Sequence, residues 1–87
     1  QENASIDVLN DIRIFLNNLA PETAKYLHDV EGADDMPAHL KTLITNTNVT
    51  MSVASNKLQL GVWQGIYLCE WRKHGQTRSV IAHLLGE

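Results

Sequence analysis

Hydrophobic positions recur at helical spacing near the start of the chain. Val8, Ile12, Phe15 and Leu19 fall on one stripe, with Leu9 and Leu16 beside it, and this spacing predicts an amphipathic helix over 5–19. Ser5 suits the N-cap, and Asp7 places a negative charge in the first turn, where the helix dipole favours it. Ala20-Pro21 ends the helix, because the residue before a proline avoids the α region. A short helical turn is expected over 22–27. Periodicity then disappears: residues 28–36 hold one His, one Gly and the carboxylates of Asp29, Glu31, Asp34 and Asp35, which describes a polar loop. Pro37 fits the start of a second helix carrying His39, Leu40, Leu43 and Ile44, which fades at Asn46.

Beyond Asn46 the pattern changes to a period of two. Val49, Met51 and Val53 alternate with polar neighbours, giving a strand with one wet face. Ser55-Asn56 is a two-residue hairpin turn. Leu58 to Trp71 reads as a long strand whose second half is apolar on both parities, as in a strand covered on both sides. A turn over 74–77 leads to a last strand, Ser79 to Leu85. The expected fold is α+β: one domain over 1–87, an antiparallel sheet with two main helices packed on one side through Val8, Ile12, Phe15, Leu40 and Leu43. A doubly apolar strand needs more partners than this chain offers. N-terminal strands or another subunit are expected to supply them, and a start at Gln1 without a methionine suggests upstream sequence.

Composition narrows the classes of function. Net charge is -3 with seven Lys and Arg in all, and the pI is about 5.7, which argues against a nucleic-acid surface. No apolar run approaches the ~18–20 residues that cross a bilayer. Nothing resembles a signal peptide, so the cytoplasm is the expected compartment. The single Cys69 excludes an intrachain disulfide and reads as a small hydrophobe. Arg72, Lys73 and Arg78 flank one turn, which is either simply solvated or able to meet a small phosphate.

Two segments hold candidate chemistry. His28 and His39 bracket the acidic loop, and two imidazoles with carboxylates between them suit zinc or a similar divalent ion. Their spacing, eleven positions, is not a metal motif by itself, so a solvated acidic loop stays open as a reading. Gly61-Val62-Trp63-Gln64-Gly65 places two glycines in a strand pattern, where they mark a bulge or the close approach of a backbone or ligand. Gln64 and Glu70 interrupt an otherwise apolar face and are either structural or site-lining. His74 reads as a solvated turn residue and His83 as a core or interface one.

Together these segments resemble the YjbQ family. The matching pieces are Glu2-Asn3-Ala4, Tyr26-Leu27-His28-Asp29, and Glu31-Gly32-Ala33-Asp34-Asp35-Met36-Pro37-Ala38-His39-Leu40-Lys41. The most specific is Leu60-Gly61-Val62-Trp63-Gln64-Gly65-Ile66-Tyr67-Leu68-Cys69-Glu70, where Val62 stands in place of the family's Thr. The resemblance covers essentially the whole chain and corresponds to the C-terminal part of such proteins. It implies early strands upstream and a third imidazole in a His-Thr-Ser-Ala-Ser segment leading into Glu2-Asn3-Ala4. It implies a homotrimer with its site near subunit boundaries.

For activity, the resemblance implies a secondary thiamine-phosphate synthase, which joins a hydroxymethylpyrimidine diphosphate to a thiazole phosphate. His28 and His39 become the metal ligands, for zinc or magnesium. Glu31, Asp35 and Glu70 are the catalytic candidates, one of them as the general base if the protein is instead a metal-dependent hydrolase, and Asn3, Trp63 and Gln64 are the substrate-binding ones. The small phosphorylated substrate is the expected partner, with neither nucleic acid nor membrane. The sequence shows no Gly-rich phosphate loop and few basic residues beside the His28–His39 loop. A metal-dependent hydrolase and a non-enzymatic trimer that binds a metal or small molecule are the alternative readings.

Overall fold

The computed structural model describes residues 1–86. Helix α1 spans Ile6–Leu19, helix α2 spans Asp35–Ile44, and the short strands β1 (Val53–Ala54) and β2 (Lys57–Leu58) form an antiparallel hairpin. The α+β class holds, with a sheet smaller than the sequence pattern predicts.

Local signals account for the helices. Ser5 occupies the N-cap of α1, and its carbonyl accepts the Leu9 N–H at 3.0 Å. Its side chain makes no capping bond; instead the Asn3 side chain accepts the Ser5 N–H at 2.9 Å, holding the entry to the helix. The Ala20 N–H closes the last turn on Leu16. Residues 22–27 do not continue as a helix. They turn, with the Tyr26 hydroxyl donating to the Pro21 carbonyl at 2.7 Å. Helix α2 begins at Asp35, two residues before Pro37. Proline is tolerated there because first-turn N–H groups lack helical partners in any case.

The helices do not meet through the predicted apolar stripe. Phe15 and Leu43 are 62% and 80% exposed. The buried positions are Leu16 and Ala20 after α1's midpoint and Asp35, Pro37, Ala38 and Lys41 on α2. A polar bridge links the two helices, from Lys41 Nζ to Asn17 Oδ1 at 2.7 Å. Without a broad sheet beneath them, Phe15 and Leu19 stay exposed among the described residues.

The hairpin forms where Ser55-Asn56 predicts it. Both residues have positive φ, 52° and 62°, the geometry that matches a two-residue turn to strand twist. The register pairs Val53 with Leu58 and Ala54 with Lys57. The long strand to Trp71 and the last strand over 79–85 do not form among the described residues. Period-two alternation specifies which faces are apolar, not which chain lies opposite. Apart from residues 58–59 in the hairpin and 63–65 against the N-terminal segment, no described segment pairs along these stretches, and Val62, Leu68, Ile81 and Leu85 stay exposed.

One part of that region does find a backbone partner. The Gln1 amine donates to Gly65 O at 2.7 Å and Gly65 N–H returns a bond to Gln1 O at 3.0 Å. The Ala4 N–H donates to Trp63 O. A Cβ on Gly65 would stand 3.0 Å from the Ala4 Cβ, so this glycine marks the close approach of another backbone. None of the helices is long and apolar enough to cross a membrane among the described residues.

Candidate metal centre

The loop after α1 and the first turns of α2 bring His28, Glu31, Asp35 and His39 to one point. Asp35 and His39 are four positions apart on α2 and therefore share a face. His28 reaches them because the chain reverses at Gly32, whose φ of 114° is open to glycine and strained for other residues. The Asp35 N–H donates to Gly32 O at 3.3 Å and fixes that reversal.

Asp35 is the hub. Its Oδ2 lies 3.0 Å from His28 Nε2 and 3.2 Å from His39 Nε2. Glu31 Oε2 lies 2.8 Å from the same His28 nitrogen. The rings stand edge to face with centroids 5.6 Å apart. One donor atom from each of the four residues lies within 4.8 Å of all the others. Both imidazoles are about half exposed, whereas the Asp35 carboxylate is 11% exposed. An open cleft of about 490 Å³, lined in part by Lys25, Tyr26, His28 and Met36, runs beside the cluster.

The electrostatics follow from these contacts. The hydrogen bond to Glu31, and then that to Asp35, raises the His28 pKa above 6.5 against a smaller opposing effect of burial. For Asp35, burial pushes the pKa up. The Arg72 hydrogen bond, the His39 charge and the His28 hydrogen bond together outweigh it, and the carboxyl stays below its ordinary value.

Arg72 is the neighbour that sequence reading did not place. Its Nη2 and Nε lie 3.0 and 3.1 Å from Asp35 Oδ1. The adjacent Lys73 N–H donates to the Asp34 carboxylate at 2.8 Å, and Lys73 Nζ pairs with Glu22 at 3.1 Å. The basic turn therefore folds onto the acidic loop. Opposite charge between the two segments was the available signal; sequence separation concealed their contact.

The other candidates lie apart from this point. Glu70 is held by Arg78 through bonds of 3.0 and 3.3 Å and accepts the Arg72 N–H at 3.0 Å. The Arg78 hydrogen bonds, with the Arg72 amide, lower its pKa to about 2, so it is a weak proton acceptor at neutral pH. Asn3 caps the Ser5 amide, Trp63 accepts from Ala4 through its carbonyl, and the Gln64 side chain accepts the Gly61 N–H. Those three sit at the junction of the N-terminal segment with residues 61–65, and their hydrogen bonds do not reach the histidines.

The donor set fits a divalent ion. Tetrahedral donors about 2.1 Å from zinc lie roughly 3.4 Å from one another, close to the His–Asp35 separations found here. Two imidazole nitrogens and two carboxylate oxygens are also an accepted ligand class for such ions. Each imidazole must present its lone pair rather than a proton, so binding displaces the hydrogen bonds to Asp35 and Glu31.

Comparison with known proteins shows what the chain resembles. It matches the family described as UPF0047 protein YjbQ-like over residues 1–87. The UPF0047 protein sll1880 of Synechocystis sp. is 46% identical, over 100% of this chain and 60% of the relative. YjbQ of Escherichia coli is 43% identical, over 99% of this chain and 62% of the relative. YugU of Bacillus subtilis is 31% identical, over 98% and 62% respectively. The chain thus spans about 60% of the length of these relatives. No solved structure gives a significant match.

Proposed function

The chain belongs to the UPF0047 YjbQ-like family, and from that premise we propose that His28, Glu31, Asp35 and His39 form the divalent-cation site of a thiamine-phosphate synthase. The observation that carries this reading is the convergence of both imidazole Nε2 atoms on one oxygen of Asp35. The reaction comes from the family resemblance. A C–N bond forms between the thiazole nitrogen and the pyrimidine methylene carbon, and the C–O bond to diphosphate breaks, its electron pair leaving with pyrophosphate.

A bound zinc or magnesium ion supplies charge neutralisation for the departing oxygens. The chain's own residues supply the rest. Arg72 stands beside the cluster and adds a fixed cation toward which an anion can develop. Its bond to Asp35 Oδ1 also holds that carboxylate so that Oδ2 faces the histidines. Glu31 completes the donor set, its Oε2 2.8 Å from His28 Nε2. We extend the proposal to a homotrimer, supported by the apolar residues exposed over 62–68 and 80–85.

The test uses the purified protein and its His28→Ala, His39→Ala and double variants. Metal content after dialysis and product formation from the two phosphorylated substrates are measured, with circular dichroism as the control for folding. Each variant is expected to lose metal and product while keeping its helices. Metal retention in the double variant sinks the cation site. Hydrolysis of the diphosphate substrate without C–N bond formation assigns the site to a hydrolase instead.

A further inference from the structure

On the other side of Arg72, helices α1 and α2 and residues 70–73 border an open groove of about 210 Å³. Four cations line it: Arg13, Lys41, Arg72 and Lys73. Glu70 is the one carboxylate among the lining residues. That carboxylate is already engaged by Arg78 and by the Arg72 amide. Arg72 and Lys73 have their own partners in Asp35 and Glu22. Among the described residues, the Arg13 side chain bonds only the neutral Asn10 side chain, at 3.2 Å.

Lys41 is the decisive residue. It is 6% exposed, one of two charged residues buried among those described. Its Nζ donates to the neutral Asn17 side chain at 2.7 Å and lies 5.4 Å from the centre of the Trp71 ring. No carboxylate of the described residues lies within ion-pair distance of it. A buried ammonium without a counter-ion is costly, and buried charges are ordinarily paired. An ammonium has three donors, and the Asn17 oxygen takes one. Among the described residues, the geometry leaves Lys41 with donor capacity and the Arg13 guanidinium without an ion-pair partner, both lining one concavity.

We propose that this groove binds the phosphate or diphosphate group of a small molecule, with Lys41 and Arg13 as its principal contacts. The anion supplies the counter-charge that Lys41 lacks. Trp71 forms one apolar wall, its ring 5.4 Å from the Lys41 ammonium. Arg72 lines the groove and also bonds Asp35, so the anion sits next to the cation cluster. The inference deepens the proposed function and rests on it only for the identity of the molecule that bears the phosphate.

The experiment titrates the full chain, in EDTA and at fixed ionic strength, with inorganic phosphate, pyrophosphate and a simple phosphate monoester. Binding is read by calorimetry and by the unfolding midpoint. The expected result is saturable binding that weakens about tenfold or more in Lys41→Met and in Arg13→Gln, as the loss of a charge-assisted contact requires. Lys41→Arg, which keeps the charge, is expected to retain most of the affinity. A monoester that binds more tightly than inorganic phosphate assigns the groove to a substrate; equal affinity assigns it to the free ion.

Because Arg13 is exposed, Arg13→Gln remains informative if Lys41→Met unfolds. Affinity unchanged in Arg13→Gln and in a folded Lys41→Met overturns the proposal, as does a midpoint shift no larger than chloride gives. Metal content, measured separately on Arg13→Gln, reports the cation cluster by itself. Failure of one reading is thus distinguishable from failure of the other.

Discussion

Asp35 shows how far one residue's environment can be read from sequence. The histidines and the carboxylates between them are visible as a ligand set, but the helix face that Asp35 shares with His39 is not, because the pattern puts Asp35 in the loop before a helix starting at Pro37, whereas α2 begins at Asp35. The contact with Arg72 is not visible, because 37 positions separate the two and no periodicity spans that distance. Two predictions belong here. Glu31→Gln removes the larger cause of the raised His28 pKa, so in the metal-free protein the imidazole is expected to titrate closer to 6.5, as followed by NMR. The sign is that of a raised group: the His28 contribution to stability is present below 6.5 and is lost as pH rises through the folded value. Glu70 behaves in the opposite sense. Its pKa falls from 4.5 to about 2, so its contribution is present above 4.5 and disappears as pH falls toward 2. Wild-type and Glu70→Gln denaturation midpoints are expected to differ at neutral pH and to converge near pH 2.

At the scale of the element, legibility follows the range of the interactions. Helix α1, the hairpin turn and the polar loop are fixed by neighbours a few positions apart, and the sequence pattern places all three. The long strands depend on what lies beside them, and alternation carries no such information. Pro37 shifted the expected start of α2 because proline is tolerated anywhere in the first turn. The hairpin yields a direct check. Asn56 has φ 62°, so Asn56→Ala is expected to destabilise the turn by roughly 1–2 kcal/mol, and Asn56→Gly to preserve it. Cross-strand NMR contacts between Val53 and Leu58 report the outcome. Gly65→Ala is expected to loosen the pairing with residues 1–4 through its clash at Ala4. Faster amide hydrogen exchange at Ala4 and Gly65 is the readout, and unchanged exchange counts against the close approach.

The whole molecule is more open than its mass requires. Its radius of gyration is 16.0 Å, against about 12 Å for a compact domain of this length. Its accessible surface is 7774 Å², against about 5,100 Å² for a folded monomer of this mass. The difference is about 2,700 Å², within the range of large, stable interfaces. Trp63, Leu68, Ile81 and Leu84 are among the apolar side chains that contribute to it. Light scattering on the intact protein is expected to show an oligomer, and Leu68→Glu to weaken it. A monomer at every concentration removes the trimer from the proposal.

The two oxygens of Asp35 face different partners: Oδ1 meets a guanidinium, and Oδ2 meets the imidazoles. An anion that draws Arg72 away returns negative potential to the far oxygen and strengthens its hold on a cation. Thermodynamic linkage makes the effect reciprocal, so the cation must tighten the anion by the same factor. If both proposed sites are filled, this single carboxylate would couple them, and ligands on its two sides would bind cooperatively rather than independently.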